Sequence, residues 1–211
     1  MNLPAVVPRW LQILYPNRTW SLPVSEKILY LSFDDGPHPI ITPQVLRLLK
    51  EYHAKATFFC VGNNVSKYPD LFKAIPLEGH SIGNHSFHHL NGWRSSTQKY
   101  IEDVNNADVL IQSNLYRPPY GRLKFKQASM LRKMGYELIM WTLLSADYDK
   151  RLTKENCAAR LVKNIQPGAI VLFHDSEKAA DRMIYALTTL LKVANEQGYR
   201  FEAIEYKKGS A

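Results

Sequence analysis

Five short strings concentrate the residue types that hydrolysis needs: Ser32-Phe-Asp-Asp-Gly-Pro37, His85-Ser-Phe-His-His89, Arg117-Pro-Pro-Tyr-Gly121, Ala146-Asp-Tyr-Asp149 and Leu172-Phe-His-Asp175. Adjacent carboxylates ahead of Gly36-Pro37 end an apolar run at a turn, so one can hold a cation while its neighbour stays free to take a proton. His85 and His89, four apart, would present both imidazoles on one side of a helical turn, within reach of a single ion. His80 and His88 read as supporting or solvated. One carboxylate with two imidazoles leaves coordination positions open, a catalytic rather than a structural arrangement. Such a donor set suits one divalent ion, Zn2+ first, with Co2+, Ni2+ or Mn2+ as the other candidates. Arg117 can pin a carboxylate by bidentate hydrogen bonds, and the stiff Pro118-Pro119 step can aim the Tyr120 N–H at a developing oxyanion. His174 ends an apolar run, where a carboxylate such as Asp147 could hold it protonated near neutral pH. Each string alone has an ordinary reading as a turn or cap; their joint occurrence carries the argument.

These strings need elements to position them. Apolar runs of strand length lie at 28–33, 56–61, 136–141, 169–173 and 199–204, with a weak one at 80–82. Helical periodicity falls between them, most clearly at 181–195 and 97–113, and more weakly at 42–52, 66–75, 125–134 and 153–164. Alternating strands and helices imply an α/β fold with a parallel sheet and helices outside. About 180 regular residues are short for an eight-unit barrel, typically ~250 residues, so the expectation is a distorted (β/α) barrel of about seven parallel strands. Its site should lie at the strand carboxyl ends, which Asp34-Asp35 and His174-Asp175 both follow. Residues 1–27, rich in proline, are expected to form an irregular amino-terminal arm, 28–206 the catalytic domain and 207–211 a loose tail.

Composition narrows the classes. With 211 residues and 45% hydrophobic content the chain can bury one sizeable core. A formal charge of +8 suits an acidic partner, yet the basic residues are scattered and no nucleic-acid motif is present, so no nucleic-acid partner is expected. No protein partner is implied. Two cysteines, Cys60 and Cys157, make neither a disulfide framework nor a metal cluster, and Cys60 reads as a buried free thiol. No uncharged apolar stretch is long enough to span a bilayer. The amino terminus lacks the pattern of a signal peptide, which reads as cytoplasmic, or as secreted or periplasmic if a leader has been removed.

From Ile28 to Ile204 the five strings resemble the motifs of the polysaccharide deacetylase family, carbohydrate esterase family 4. The first string is similar to that family's T/S-F-D-D-G-P, which implies Asp34 as general base and Asp35 as metal ligand. The second fits H-S/T-x-x-H and implies His85 and His89 as the remaining ligands. The third resembles R-x-P-Y-G, in which the arginine, here Arg117, orients the base and the Tyr120 N–H helps hold the oxyanion. Leu172-Phe-His174 matches L-x-H, implying His174 as acid and Leu172 as part of an acetyl-methyl pocket. The fourth motif departs: where family members often read D-x-x-D-W this chain has Leu144-Ser-Ala-Asp-Tyr148, which keeps Asp147 to pair with His174 but replaces the first aspartate and the tryptophan. That altered wall bears on the substrate more than on the reaction. The resemblance implies hydrolytic removal of acetyl groups from an N-acetylated oligo- or polysaccharide, with Tyr120, Trp141, Tyr148 and Leu172 touching substrate. O-deacetylation of a xylan-like glycan uses the same machinery. A silent glycan-binding module, stacking sugars on Trp93, Tyr120, Trp141 and Tyr148, is the reading from another class.

Overall fold

The segment ILYLSFD, Ile28–Asp34, is buried at every residue, the pattern of a parallel strand covered on both faces. The computed structural model describes residues 4–205, and this strand, β1, lies at its centre. The others follow as β2 (Ala56–Cys60), β3 (Ser81–Asn84), β4 (Leu115–Tyr116), β5 (Glu137–Leu138), β6 (Leu143–Leu144), β7 (Ile170–His174) and β8 (Arg200–Phe201). Seven of them form one path in the order β5-β4-β3-β2-β1-β7-β6, while β8 pairs with the start of β1. Every pairing is parallel.

The curl of this path follows from chain length. A flat sheet of seven strands would hold its edges ~29 Å apart at the usual interstrand spacing. Yet β5 and β6, the two edges, are joined by residues 139–142 alone, a reach of at most ~19 Å. The sheet therefore bends into the distorted barrel of about seven strands expected from the sequence. Around it run α2 (Ile41–Glu51), α3 (Gly62–Lys67), α4 (Pro69–Leu77), α5 (Thr97–Ile111), α6 (Phe125–Lys133), α7 (Lys154–Val162) and α8 (Ala180–Glu196).

Alternation along β1 divides its side chains between two layers. Leu29, Leu31 and Phe33 join the outer core, packed against α2 and α8, with Phe33 stacked between Phe58 and Phe173 at ring distances of 5.0 and 5.6 Å. Ile28 and Tyr30 face the interior with Phe59 and Ile170. Ser32 and Asp34 continue that inner row, so the strand's two polar residues point into the barrel. Asp34 stands in register with His174 on β7, which places both on the same face at the same strand end.

The open seam between β5 and β6 is filled by the amino-terminal segment. Thr19 N–H donates to Leu138 O (2.8 Å) and Met140 N–H to Thr19 O (2.7 Å), while Leu144 N–H reaches Ala5 O (2.8 Å) and Val7 N–H reaches Thr142 O (2.9 Å). Val7 and Trp20 pack on Met140 beneath. This arm is not wholly irregular: α1 (Arg9–Leu14) forms after Pro8, whose fixed φ suits a helix start.

Other departures have local causes. The single helix expected at 66–75 is two, because Pro69 disfavours helical geometry at Tyr68 (φ −129°, ψ 57°). Strands β4 and β6 are two residues each, too short to leave a periodic signal. Cys60 and Cys157 are free and buried. The expected tail at 207–211 lies outside the described residues. Among the described residues no helix is long and apolar enough to cross a membrane.

Candidate active site

The strand ends converge on a groove of about 630 Å³ that holds Asp34, Asp35, His85, His89, Tyr120, Trp141, Tyr148, Leu172 and His174. Backbone strain marks its loops. Of the seven non-glycine residues at positive φ among those described, Asp35 (84°), Ser86 (63°), His89 (56°), Tyr120 (60°) and Ala146 (57°) lie in these strings. Left-handed geometry disfavours a β-carbon, and such strain persists where the surrounding fold imposes a functional shape.

Asp34 and Asp35 part company at the end of β1. Asp34 Oδ1 accepts from Arg117 Nη1 at 2.8 Å, and its Oδ2 stands 3.7 Å from His85 Nε2. The left-handed turn at Asp35 sends the second carboxylate to the histidines instead, with Oδ1 3.2 Å from His89 Nε2 and 4.0 Å from His85 Nε2. Burial alone would raise the Asp35 carboxyl. The His89 hydrogen bond and the nearby His174 and His85 rings outweigh it and hold Asp35 well below the usual carboxylate range.

His85 leaves β3 with its Nδ1 2.7 Å from Arg117 O, so Nδ1 carries the hydrogen and Nε2 presents a lone pair. Burial pushes this imidazole down to about 4, which keeps it neutral and ready to ligate. The helical turn expected for 85–89 is absent: Ser86 and His89 are both left-handed, and the loop is pinned from outside. Asn84 Oδ1 accepts the Ser86 N–H (2.8 Å), and Asp103 on α5 accepts the N–H groups of Phe87 and His88 (3.0 Å each) and pairs with the His88 ring (2.6 Å). His88 is thus a loop anchor. His80 is buried at the other end of β3, where its Nδ1 accepts from Ala56 N–H (3.2 Å), a structural role.

Asp35, His85 and His89 offer one donor atom each, all within 4.8 Å of one another. Donors ~2.1 Å from a tetrahedral ion are separated by ~3.4 Å, so small side-chain movements bring this set onto one cation. The fixed His85 tautomer and the carboxylate/imidazole composition fit a divalent ion.

Arg117 is fully buried. Its guanidinium donates to Asp34 Oδ1 and Ser32 Oγ (2.8 Å each), Ile139 O (3.2 Å) and Met140 O (2.9 Å), and lies 4.0 Å from the Phe59 ring centre. The bidentate carboxylate clamp expected from sequence is therefore a single bond to Asp34, the other donors being spent on Ser32 and the seam carbonyls. Three residues on, the Pro-Pro turn leaves the Tyr120 N–H without a partner among the described residues, and the Tyr120 ring meets the His89 ring edge-on at 4.6 Å.

On the opposite wall Asp147 is fully buried and grips His174 twice, through Nδ1 (2.7 Å) and the backbone N–H (2.8 Å). Burial would lower His174, but the Asp147 carboxylate overrides it, and with Asp35 and Asp34 the ring is raised to about 9. Nε2 is left as its free nitrogen, and Tyr148 meets the ring edge-on at 5.1 Å. Leu144 clusters with Ala146 and Leu172 against Trp141, an apolar wall where a carboxylate would have stood in the related motif.

Several contributors left only faint traces in the sequence. Ser32 announces itself only as a polar residue inside a buried strand, and Asp103 only as an acid on the apolar stripe of α5. Asp175, next to His174, is fully buried, accepts from Thr42 Oγ1 (2.5 Å), and lies so close to Gly36 that a β-carbon there would overlap its carboxylate. Burial pushes its carboxyl up to about 8, so it is mostly neutral at pH 7, which eases the lack of a partner at Oδ1.

The chain is similar to known proteins over most of its length. The family model for polysaccharide deacetylase matches residues 21–139. A peptidoglycan-N-acetylglucosamine deacetylase of Bacillus cereus is 37% identical over 199 residues, 90% of this chain and 93% of that protein. A peptidoglycan-N-acetylmuramic acid deacetylase of Bacillus subtilis is 35% identical over 190 residues, 85% of this chain and 71% of that protein. A crystal structure of a peptidoglycan N-acetylglucosamine deacetylase in complex with a substituted N-hydroxybenzamide superposes with a TM-score of 0.82 at 27% identity, covering 92% of this chain and 94% of that one. The matched model, the relatives across nearly the whole length and the shared fold agree: the chain belongs to the polysaccharide deacetylase family.

Proposed function

We propose that this chain removes acetyl groups from N-acetylated glycans of the peptidoglycan or chitooligosaccharide type, by hydrolysis that depends on a divalent metal. One observation carries the reading: a carboxylate pinned by Arg117 lies beside an Asp-His-His donor set and in register with an Asp-supported histidine. Asp35, His85 and His89 would hold the ion. Bound there, a divalent ion such as Zn2+ would supply Lewis-acid polarisation of the acyl carbonyl and a water of lowered pKa.

The chain's own groups do the rest. Arg117 holds Asp34 Oδ1, leaving Oδ2 to accept the proton of the attacking water. The unpartnered Tyr120 N–H donates to the oxygen that gains charge as the carbonyl becomes tetrahedral, a donor worth roughly 3 kcal/mol in other hydrolases. His174 delivers a proton from Nε2 to the departing amine. Leu172, Leu144 and Trp141 enclose the acetyl methyl, and Tyr120 and Tyr148 frame the sugar.

Acetate release from N-acetylglucosamine oligomers and peptidoglycan fragments is expected, stopping on chelation and returning on addition of Zn2+. If metal-loaded protein frees no acetate from any N-acetyl or O-acetyl glycan, the reading is wrong. A higher rate on acetylated xylan would convert it to O-deacetylation.

A pH dependence follows from His174. Its proton is present below about 9 and lost above it, so kcat should fall on the alkaline side as that proton leaves. Asp147→Asn removes the charge that raises the ring, and the alkaline limb should move down by about one unit or more. An unmoved limb would show that another group sets it. The same pairing stabilises the fold fully below pH 6.5, and that contribution is lost as the pH rises through about 9.

A further inference from the structure

The deacetylation reading leaves one wall of the groove without a task. Beyond Tyr120 the groove is lined by Arg94 and Arg122, both exposed. Among the described residues neither guanidinium takes part in an ion pair or donates a hydrogen bond. Among the described residues that line the groove, the carboxylates are Asp34 and Asp35, both at its reacting end. The groove is thus acidic where the chemistry takes place and cationic at its far wall.

That wall is built. The turn Gly92–Arg94 is capped by the Asn91 side chain, which accepts the Trp93 N–H (3.0 Å). Gln127, fully buried at the head of α6, donates to Gly92 O (3.0 Å) and accepts from Lys124 N–H (2.9 Å). Lys124 Nζ closes the far side on Ser95 O (2.7 Å). A β-carbon on Gly92 would overlap the Arg122 carbonyl, so the two segments touch through their backbones. Trp93 then lies beneath the Arg122 guanidinium, 5.1 Å from carbon to ring centre, which restrains that side chain before any ligand arrives. An arginine fork held over an aromatic ring suits a planar carboxylate, which it can meet with two parallel hydrogen bonds.

We propose that Arg94 and Arg122 form an anion subsite that receives a free carboxylate on the sugar at, or next to, the one deacetylated. Resting on the deacetylation reading, this names the substrate class: an N-acetylated glycan bearing carboxylates, of the kind the lactyl ether of muramic acid provides, in preference to a neutral N-acetylglucosamine polymer.

The test compares acetate release from glycan-strand oligosaccharides with free lactyl carboxylates, the same oligosaccharides with those carboxylates amidated, and N-acetylglucosamine oligomers of matched length. Wild-type protein should show kcat/KM about tenfold higher on the carboxylate form, expressed in KM, as expected for a charge-assisted pair at a half-open wall. Salt should erode the advantage, because exposed charges are screened. The double variant Arg94→Gln/Arg122→Gln should remove it and bring the three substrates to one level. Equal kcat/KM for carboxylate and amide forms in the wild type, or an advantage that survives in the double variant, would overturn the subsite.

Calorimetry on Asp34→Asn protein separates this outcome from failure of the deacetylation reading. A carboxylate-over-amide affinity ratio that disappears with the two arginines supports the subsite even if no acetate is ever released. A ratio of one sinks it.

Discussion

Asp34→Asn is expected to lower kcat for acetate release by about a thousandfold while leaving metal content unchanged. The amide keeps the shape of the carboxylate and can still accept from Arg117 through its oxygen, so the groove should survive. It cannot take a proton from water, and positioned proton transfer contributes roughly 10²–10⁴ in rate. Metal content is the control, because Asp34 is not one of the three clustered donors. Asp35→Asn should do the reverse, losing metal first and activity as a result. A kcat within tenfold of wild type for Asp34→Asn would mean that another group serves as base.

Arg117→Met should unfold the protein at a markedly lower temperature. The substitution roughly matches volume but strands the Asp34 carboxylate, Ser32 Oγ and the carbonyls of Ile139 and Met140 in a dry interior. Breaking one side of a buried ion pair costs roughly 3–5 kcal/mol. For a chain of this size that corresponds to a Tm about 10 °C lower, at ~2–4 °C per kcal/mol. Arg117→Lys should recover little of it, since an ammonium has one charged centre where the guanidinium reaches four acceptors along a plane. A melting temperature within ~2 °C of wild type would show that the seam tolerates the loss. Pairing this with Asp34→Leu tests the cause: if the unpaired carboxylate dominates, the double substitution should be milder than the sum of the singles.

What the sequence made legible follows from where signals are strong. Long buried strands such as β1 and β7 leave unbroken apolar runs, and each ends on the polar residues that turn into the groove, so Asp34 and His174 could be placed at one mouth from sequence. The two-residue strands β4 and β6 write no period, and the 136–141 run that looked like one strand is β5 followed by the seam. The His85–His89 spacing correctly suggested proximity but for the wrong geometry. A four-residue interval fits a helical turn, whereas here Asn84 and Asp103 hold an irregular loop through hydrogen bonds that no interval records. Arg117 was visible as a partner for a carboxylate, but its division among one carboxylate, one hydroxyl and two carbonyls depends on the curl of the sheet. The arginine wall was invisible because Arg94 and Arg122 come to line one groove only when Gly92 docks on the Arg122 carbonyl.

The seam between the two edge strands has a further meaning for the base. Ile139 and Met140, whose carbonyls anchor Arg117, belong to no strand, and their main chain is tied down by Thr19 of the amino-terminal segment. The orientation of the proton acceptor thus depends, through one arginine, on a ribbon of chain that contributes no side chain to the reacting atoms. Evolutionary drift or proteolytic cleavage in that ribbon would be read out at the carboxylate, and catalytic competence becomes a sensor of whether residues 4–20 are correctly threaded.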